Sequence, residues 1–154
     1  FFVLNGVFAD EHGEYPAGSY VRNPVGTSHT PIIGAAGATI LVKLNQFDAR
    51  DTEQKHIDTH AVPWRQGLVE GLTVMALHDF EDEHVALVKW APNTQFQTHR
   101  HWGGEEIFVL SGVFYDEHGR YPAGSWIRSP HLSQHTPFTQ DEGALIFVKV
   151  GHLL

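Results

Sequence analysis

A chain of 154 residues has the length of one domain, and 42% hydrophobic with 18% charged residues is a globular rather than a disordered composition. Eighteen acids against ten bases leave a net charge of −8, which argues against a nucleic-acid or anionic-membrane partner. No cysteine is present, so disulfides, thiolate catalysis, iron–sulfur clusters and Cys-ligated zinc are excluded. No apolar run reaches the roughly 18 to 20 residues that cross a bilayer, and no basic stretch opens the chain as in a secretory leader. The expected location is therefore cytoplasmic. Histidine is the outlying residue: twelve exceed the ten Lys and Arg together. Without cysteine, such an excess points to imidazole–carboxylate metal chemistry where the histidines cluster.

Taken in chain order, residues 1–44 repeat as 107–150 without a gap, with 25 identical positions. "DEHGEYPAGSY" from Asp10 to Tyr20 returns as "DEHGRYPAGSW" from Asp116 to Trp126, and His29-Thr30-Pro31 as His135-Thr136-Pro137. A period of 106 residues is too long for a solenoid unit and suits a duplicated domain. The second copy has about 60 more residues before its matched block than the first, so Phe1 reads as lying inside a domain of a longer tandem protein.

Both copies read as all-β. The strand candidates are short, rich in Val, Ile, Leu and Phe, and bounded by turn signals such as "DEHG", "YPAG" and "NPVG". Further strands are expected at 72–80, 84–90, 96–101 and 144–151, and no apolar stripe of helical period runs for three turns. Many short strands joined by Gly- and Pro-containing turns predict a sandwich or jelly-roll barrel. The polar segment 47–62 ("FDARDTEQKHIDTHAV") is expected to link the copies.

The strongest chemical signal is "THRHWGGEE" at 98–106. His99 and His101, two apart, project from one face of a strand. Gly103-Gly104 permits a tight reversal, and Glu105 opens the next strand, about 4.8 Å away in a sheet. His135, between Gln134 and Thr136-Pro137, belongs to a third strand or its entry turn. Three imidazoles and a carboxylate form a competent site for Zn, Fe(II), Mn or Ni with positions left for water or a small-molecule ligand. An H-x-H pair alone favours solvent-facing strand residues, with Glu105 a surface charge; "GGEE" in step and a distant histidine shift the reading to the metal. His29 is the counterpart of His135, but no H-x-H partner precedes it here, which makes it an orphan.

The spacing His99-x-His101-x3-Glu105-x6-Gly112 resembles the first cupin motif, and Gly124-x5-Pro130-x4-His135 the second. The run "HRHWGGEEIFVLSGVFYDEHGRYPAGSWIRSP" (99–130) resembles, more narrowly, the ChrR-type cupin, the C-terminal domain of ChrR-family anti-sigma factors. That group is also similar to small cupin dioxygenases acting on hydroxyacetophenones and β-diketones. The resemblance implies an all-β, RmlC-like jelly roll: a complete cupin at 47–154 and the C-terminal half of another at 1–46. It implies one divalent metal, zinc first and Fe(II), Mn or Ni as alternatives, on His99, His101, Glu105 and His135. Two functions follow from it: a regulatory or sensor domain of the ChrR type, or a non-haem Fe(II) dioxygenase. A homodimer or an intramolecular tandem pair is the expected assembly. Three positions depart from the motifs: Asn93 and Leu132 replace glycines, and Thr139 replaces a trailing Asn. The Cys-containing helical sigma-binding domain of ChrR proteins has no counterpart in these residues.

Other residues carry weaker expectations. His12 and His118 read as polar turn residues, and His56 and His60 as linker residues. His131 is a candidate for the cavity mouth. Arg128, with its counterpart Arg22, is expected to pair with Glu106 or Glu105 or to meet a substrate anion. Trp126, Trp102 and Phe96 are expected in the core or the pocket wall.

Overall fold

A computed structural model describes residues 1–153, and its regular elements are all strands. They form two compact units, Phe1–Val62 and Pro63–Leu154. Among the described residues no helix is long and apolar enough to cross a membrane.

The first unit holds β1 (Phe2–Asp10), β2 (Gly13–Pro16), β3 (Ser19–Arg22), β4 (Ile32–Leu41) and β5 (Lys55–Asp58). All pairings are antiparallel: β2, β1, β3 and β5 follow one another, and β4 joins β1. The β1–β2 hairpin turns at Glu11-His12, where Asp10 Oδ1 accepts the His12 N–H at 2.8 Å, the local bond that makes Asp a turn former. Val3, Phe8, Tyr15 and Val21 form its core.

The segment 47–62 is more than a linker. Its residues 55–58 are β5, in register with 19–22 of β3. Buried Arg22 anchors the segment further: its guanidinium pairs with the Asp51 carboxylate, donates to the Glu53 carbonyl at 2.5 Å and lies 4.0 Å over the Phe47 ring. His56 packs edge-on against Tyr15, and His60 Nε2 sits 3.1 Å from the Ala17 carbonyl. A polar sequence hid this strand because its partners are a buried cation and a sheet edge rather than an apolar face.

The second unit contains β6 (Arg65–Gln66), β7 (Leu72–Phe80), β8 (Glu83–Trp90), β9 (His99–Arg100), β10 (Glu105–Asp116), β11 (Gly119–Pro122), β12 (Trp126–Ser129), β13 (Gln134–His135) and β14 (Ala144–Val150). The strands expected at 72–80, 84–90 and 144–151 are present within a residue, whereas 96–101 contributes only the short β9. A curled antiparallel sheet runs β11-β10-β14-β8-β7-β6, with β12 also on β10, and β9 pairs separately with β13. β14 is central, paired along its length with β10 and with β8. Leu72, Trp90, Ile107, Val109, Phe114, Ala144 and Ile146 fill the core. β10 bulges between Val109 and Ser111, and Gly112 follows at φ +72; a Cβ there would fall 2.2 Å from the Gly143 carbonyl oxygen. A side chain at 112 is therefore excluded by both conformation and contact.

Candidate metal centre

The β9–β13 ribbon places His135 directly opposite His99. His101 follows β9, its N–H bonded to the Ser133 carbonyl at 2.9 Å, and Leu132 N–H donates to the His101 carbonyl at 2.9 Å. Gly103 and Gly104 both have left-handed φ (+72 and +73), and Cβ atoms there would lie 2.6 Å from Gly151 Cα and 2.7 Å from Leu153 Cβ. This crowded reversal is open to glycine alone, and it delivers Glu105 to the first position of β10 beside the imidazoles.

His99, His101, Glu105 and His135 each offer one ligand atom, all within 4.8 Å of one another. His101 Nε2 lies 3.4 Å and His135 Nε2 3.5 Å from Glu105 Oε2. The three imidazole centroids are 4.6 to 4.9 Å apart and packed edge to face. Burial, with His135 and His99 close by, pushes His101 down to about 4. Burial likewise lowers His135, against a raising contribution from its bond to Asp116. Burial pushes Glu105 up to about 8, with the Asp116 charge adding to it. The protein alone thus holds neutral His101 and His135 beside a protonated Glu105, and their short approaches are not ion pairs. His101 Nε2 and Glu105 Oε2 are buried without a hydrogen-bond partner. Such orphaned atoms are costly in an interior, and a cation with imidazole and carboxylate ligands would satisfy both. The donor set fits a divalent ion such as zinc or Fe(II).

A cavity of about 450 Å³ opens on His99, His101 and Glu105 and is walled by Phe96, Trp102 and Leu68. Phe96 packs edge-on to both Trp90 and His99, as a pocket-wall residue should. Trp102 lines the cavity yet is 63% exposed, so it sits at the rim. Trp126 is 58% exposed on β12 and is neither core nor cavity wall. His131 braces the glycine reversal instead of lining the cavity: its Nδ1 accepts the Gly103 N–H at 2.9 Å, and its ring meets Trp102 edge-on. Arg128 faces Glu106, with Nε 3.7 Å from Oε1, while Glu105 points to the histidines from the other side of the strand. Glu106 also receives His152 Nε2 at 2.7 Å.

The departures from the motifs are absorbed locally. Asn93 and Leu132 both adopt left-handed φ (+55 and +65), so the backbone keeps the shape that glycine would take. Thr139 Oγ1 donates to the Ala91 carbonyl at 2.7 Å and accepts the Thr94 N–H at 3.2 Å, tying down the loop after β8.

Sequence reasoning missed Asp116. Its Oδ2 lies 3.2 Å from His135 Nδ1, and its Oδ1 accepts from the His118 N–H and the Tyr121 hydroxyl. Burial opposes ionisation of this carboxyl, but bonds from His118, His135 and Tyr121 hold it below the usual carboxylate value. The available signal was the recurrence of the whole "DEHG-x-YPAG" string together with a histidine nineteen residues beyond its aspartate.

The model of the ChrR cupin-like domain matches residues 1–48 and 52–154. The chain belongs to the ChrR cupin-like family. Among solved structures, this ChrR-like chain is similar to that of Rhodobacter sphaeroides SigE in complex with the anti-sigma ChrR, at 25% identity and TM-score 0.53 over 58% of this chain and 50% of that one. It is also similar to a candidate dioxygenase from Nostoc punctiforme PCC 73102, at 18% identity and TM-score 0.74, covering 99% of this chain and 61% of that chain. A candidate acetylacetone dioxygenase from Methylibium petroleiphilum PM1 is similar over 65% of this chain and 78% of its own, at 14% identity and TM-score 0.60. The chain spans less than two thirds of the length of the Rhodobacter and Nostoc chains. No curated protein matches it.

Proposed function

We propose that the second unit is a metal-binding cupin of the ChrR type, in which His99, His101, Glu105 and His135 hold one divalent ion, zinc in the first instance. The observation that carries this reading is the convergence of four ligand atoms within 4.8 Å, two of them buried and orphaned. Such a cation ties β9, β10 and β13 together, so that loss or replacement of the ion, or a ligand bound to it, would alter the surface offered to a partner. That is a regulatory role. Protein purified without added metal, analysed for Zn, Fe, Mn and Ni, is expected to carry about one ion per chain, and His99→Ala and His135→Ala are expected to carry none. Failure of the wild type to retain or take up any of these ions removes the reading.

A second reading is supported by the cavity beside the ligands, whose wall combines Phe96, Trp102 and Leu68 with the polar Asp82, Gln97 and Arg100. In it the metal is Fe(II), which when bound supplies a Lewis-acidic and redox-active centre at positions left by the protein ligands. The unit would then be a dioxygenase for β-diketone or hydroxyacetophenone-like substrates. Substrate-dependent O2 uptake by the iron-loaded protein is its test. Zinc occupancy with no uptake after iron reconstitution favours the regulatory reading.

The 106-residue repeat supports residues 1–46 as the C-terminal half of one cupin copy and 47–154 as a complete one. On the same reading, His29 is the counterpart of a ligand. The working arrangement is a cytoplasmic tandem pair or homodimer with a small-molecule ligand and neither nucleic acid nor membrane as partner.

A further inference from the structure

The string "DEHG-x-YPAG" occurs twice, and its aspartate makes three contacts in common, to the backbone N–H two residues on, to the tyrosine hydroxyl and to a histidine nineteen residues on. In the second unit Asp116 Oδ1 accepts from His118 N–H at 2.8 Å, Gly119 N–H at 3.1 Å and the Tyr121 hydroxyl at 3.0 Å, while Oδ2 lies 3.2 Å from His135 Nδ1. In the first unit Asp10 Oδ1 accepts from His12 N–H at 2.8 Å and the Tyr15 hydroxyl at 3.0 Å, and Oδ2 lies 3.1 Å from His29 Nδ1. A turn needs only the Oδ1 bonds. The second oxygen, aimed at an imidazole nineteen residues away, adds nothing to the hairpin.

An ionised carboxylate accepts hydrogen bonds and donates none, so the proton between Asp116 and His135 belongs to Nδ1. Nε2 is then left with its lone pair, and Nε2 is the atom that stands 3.5 Å from Glu105 within the ligand cluster. We propose that Asp116 is a positioning residue: it holds His135 in the Nδ1–H tautomer and turns the free Nε2 lone pair toward the metal, with Tyr121 and the 118–119 amides fixing the carboxylate. Asp10, fixed by Tyr15, holds His29 in the same Nδ1–H tautomer. The metal part of this inference rests on the metal-site reading above; the tautomer part does not.

The near-isosteric Asn substitution separates this role from a structural one. Three donors converge on Oδ1, so in Asp116→Asn the amide oxygen takes that place and the NH2 group faces His135. An NH2 group donates, so His135 must accept through Nδ1 and carry its proton on Nε2, where it blocks ligation. A purely structural aspartate would be replaced by Asn at little cost to the site.

The experiment is long-range ¹H–¹⁵N NMR of the histidine rings in metal-free protein, with His135 assigned by its loss in His135→Gln. It is paired with Zn(II) and Co(II) titrations of the wild type, Asp116→Asn and Asp10→Asn. Expected are Nδ1–H for His135 in the wild type, Nε2–H in Asp116→Asn, and a metal affinity lower by about 10- to 100-fold in that variant. Asp10→Asn should leave the affinity unchanged and switch only His29. The proposal is overturned by Nε2–H at His135 in the wild type, or by wild-type affinity in Asp116→Asn. Where Asp116→Asn does not fold, the wild-type tautomers of His135 and His29 decide alone. A wild type that takes no metal but shows Nδ1–H at His135 sinks the metal site and leaves the tautomer assignment standing.

Discussion

The two copies of the repeat share 25 of 44 residues, yet their burial is inverted. The tetrapeptide of β3 is buried throughout, whereas its counterpart β12 alternates between exposed and half-buried. Tyr20 is 6% exposed and Trp126 58%; Arg22 is sealed against Asp51, while half of the Arg128 side chain meets solvent. The next strand shows the reverse. β14 is largely buried, and β4 is largely exposed, with Ile32 and Ile33 half open. The cause is which edge has a neighbour. β5 covers β3, and among the described residues nothing pairs with the outer side of β12; β8 covers β14, and β4 has only β1. One sequence pattern supports both outcomes because an amphipathic strand is only a candidate for burial until another strand arrives.

The sharpest way to break the comparison is at the paired histidines. His135→Ala should abolish metal uptake by the chain, whereas His29→Ala should leave its stoichiometry unchanged, read by metal analysis after dialysis. Equal losses would overturn the contrast between the two histidines.

Next come the paired arginines. Arg22→Ala removes the buried guanidinium that pairs with Asp51 and bonds the Glu53 carbonyl, and should cost about 3–5 kcal/mol in urea denaturation. Arg128→Ala removes a half-exposed partner of Glu106 and should cost no more than about 1 kcal/mol. Similar values for the two would show that β5 does not protect β3 as described.

The pH dependence of metal binding belongs to the second unit alone. Glu105, pushed up to about 8, is protonated at pH 6, and a metal ion must displace that proton; His101, pushed down to about 4, is neutral throughout. Affinity should therefore rise with pH, by about tenfold per unit, and level off above 8. Calorimetry in buffers of different ionisation enthalpy should report about one proton released per ion at pH 7. A flat profile between pH 6 and 8 would show that the ion displaces no proton from Glu105 in that range.

The smallest effect concerns one turn. Gly26 and Leu132 are counterparts, and both have positive φ (+91 and +65). Gly26→Leu should destabilise by about 1–2 kcal/mol, and Leu132→Gly should change stability by less than about 1 kcal/mol, because relief of left-handed strain is offset by chain entropy. Thermal unfolding of the two variants checks this.

Much of the site was legible because it is local. His99, His101 and Glu105 lie within seven residues, and alternation along a strand with a glycine reversal is enough to bring them together. His135 was the less local member, since the pairing of β9 with β13 spans more than thirty residues. Asp116 was hidden by an ordinary explanation: an aspartate in "DEHG" is accounted for by its turn, and only coordinates reveal what its second oxygen faces. The roles of Arg128, His131 and Trp126 turned on which side of a strand or loop meets solvent, which residue type does not state. β5 was unreadable because its pairing is made through backbone and a buried ion pair, leaving no apolar period behind.

The sequence by itself determined the all-β class, the internal repeat, the residues of the candidate metal cluster and the kinship with ChrR-like cupins. These rest on periodicity, spacing and identity, which are properties of the chain as a string. Only the tertiary structure decided which copy buries which edge, that 47–62 carries a strand, and that Asp116 backs His135. Each of these depends on a neighbour distant in sequence, and burial or hydrogen bonding exists only once that neighbour is in place.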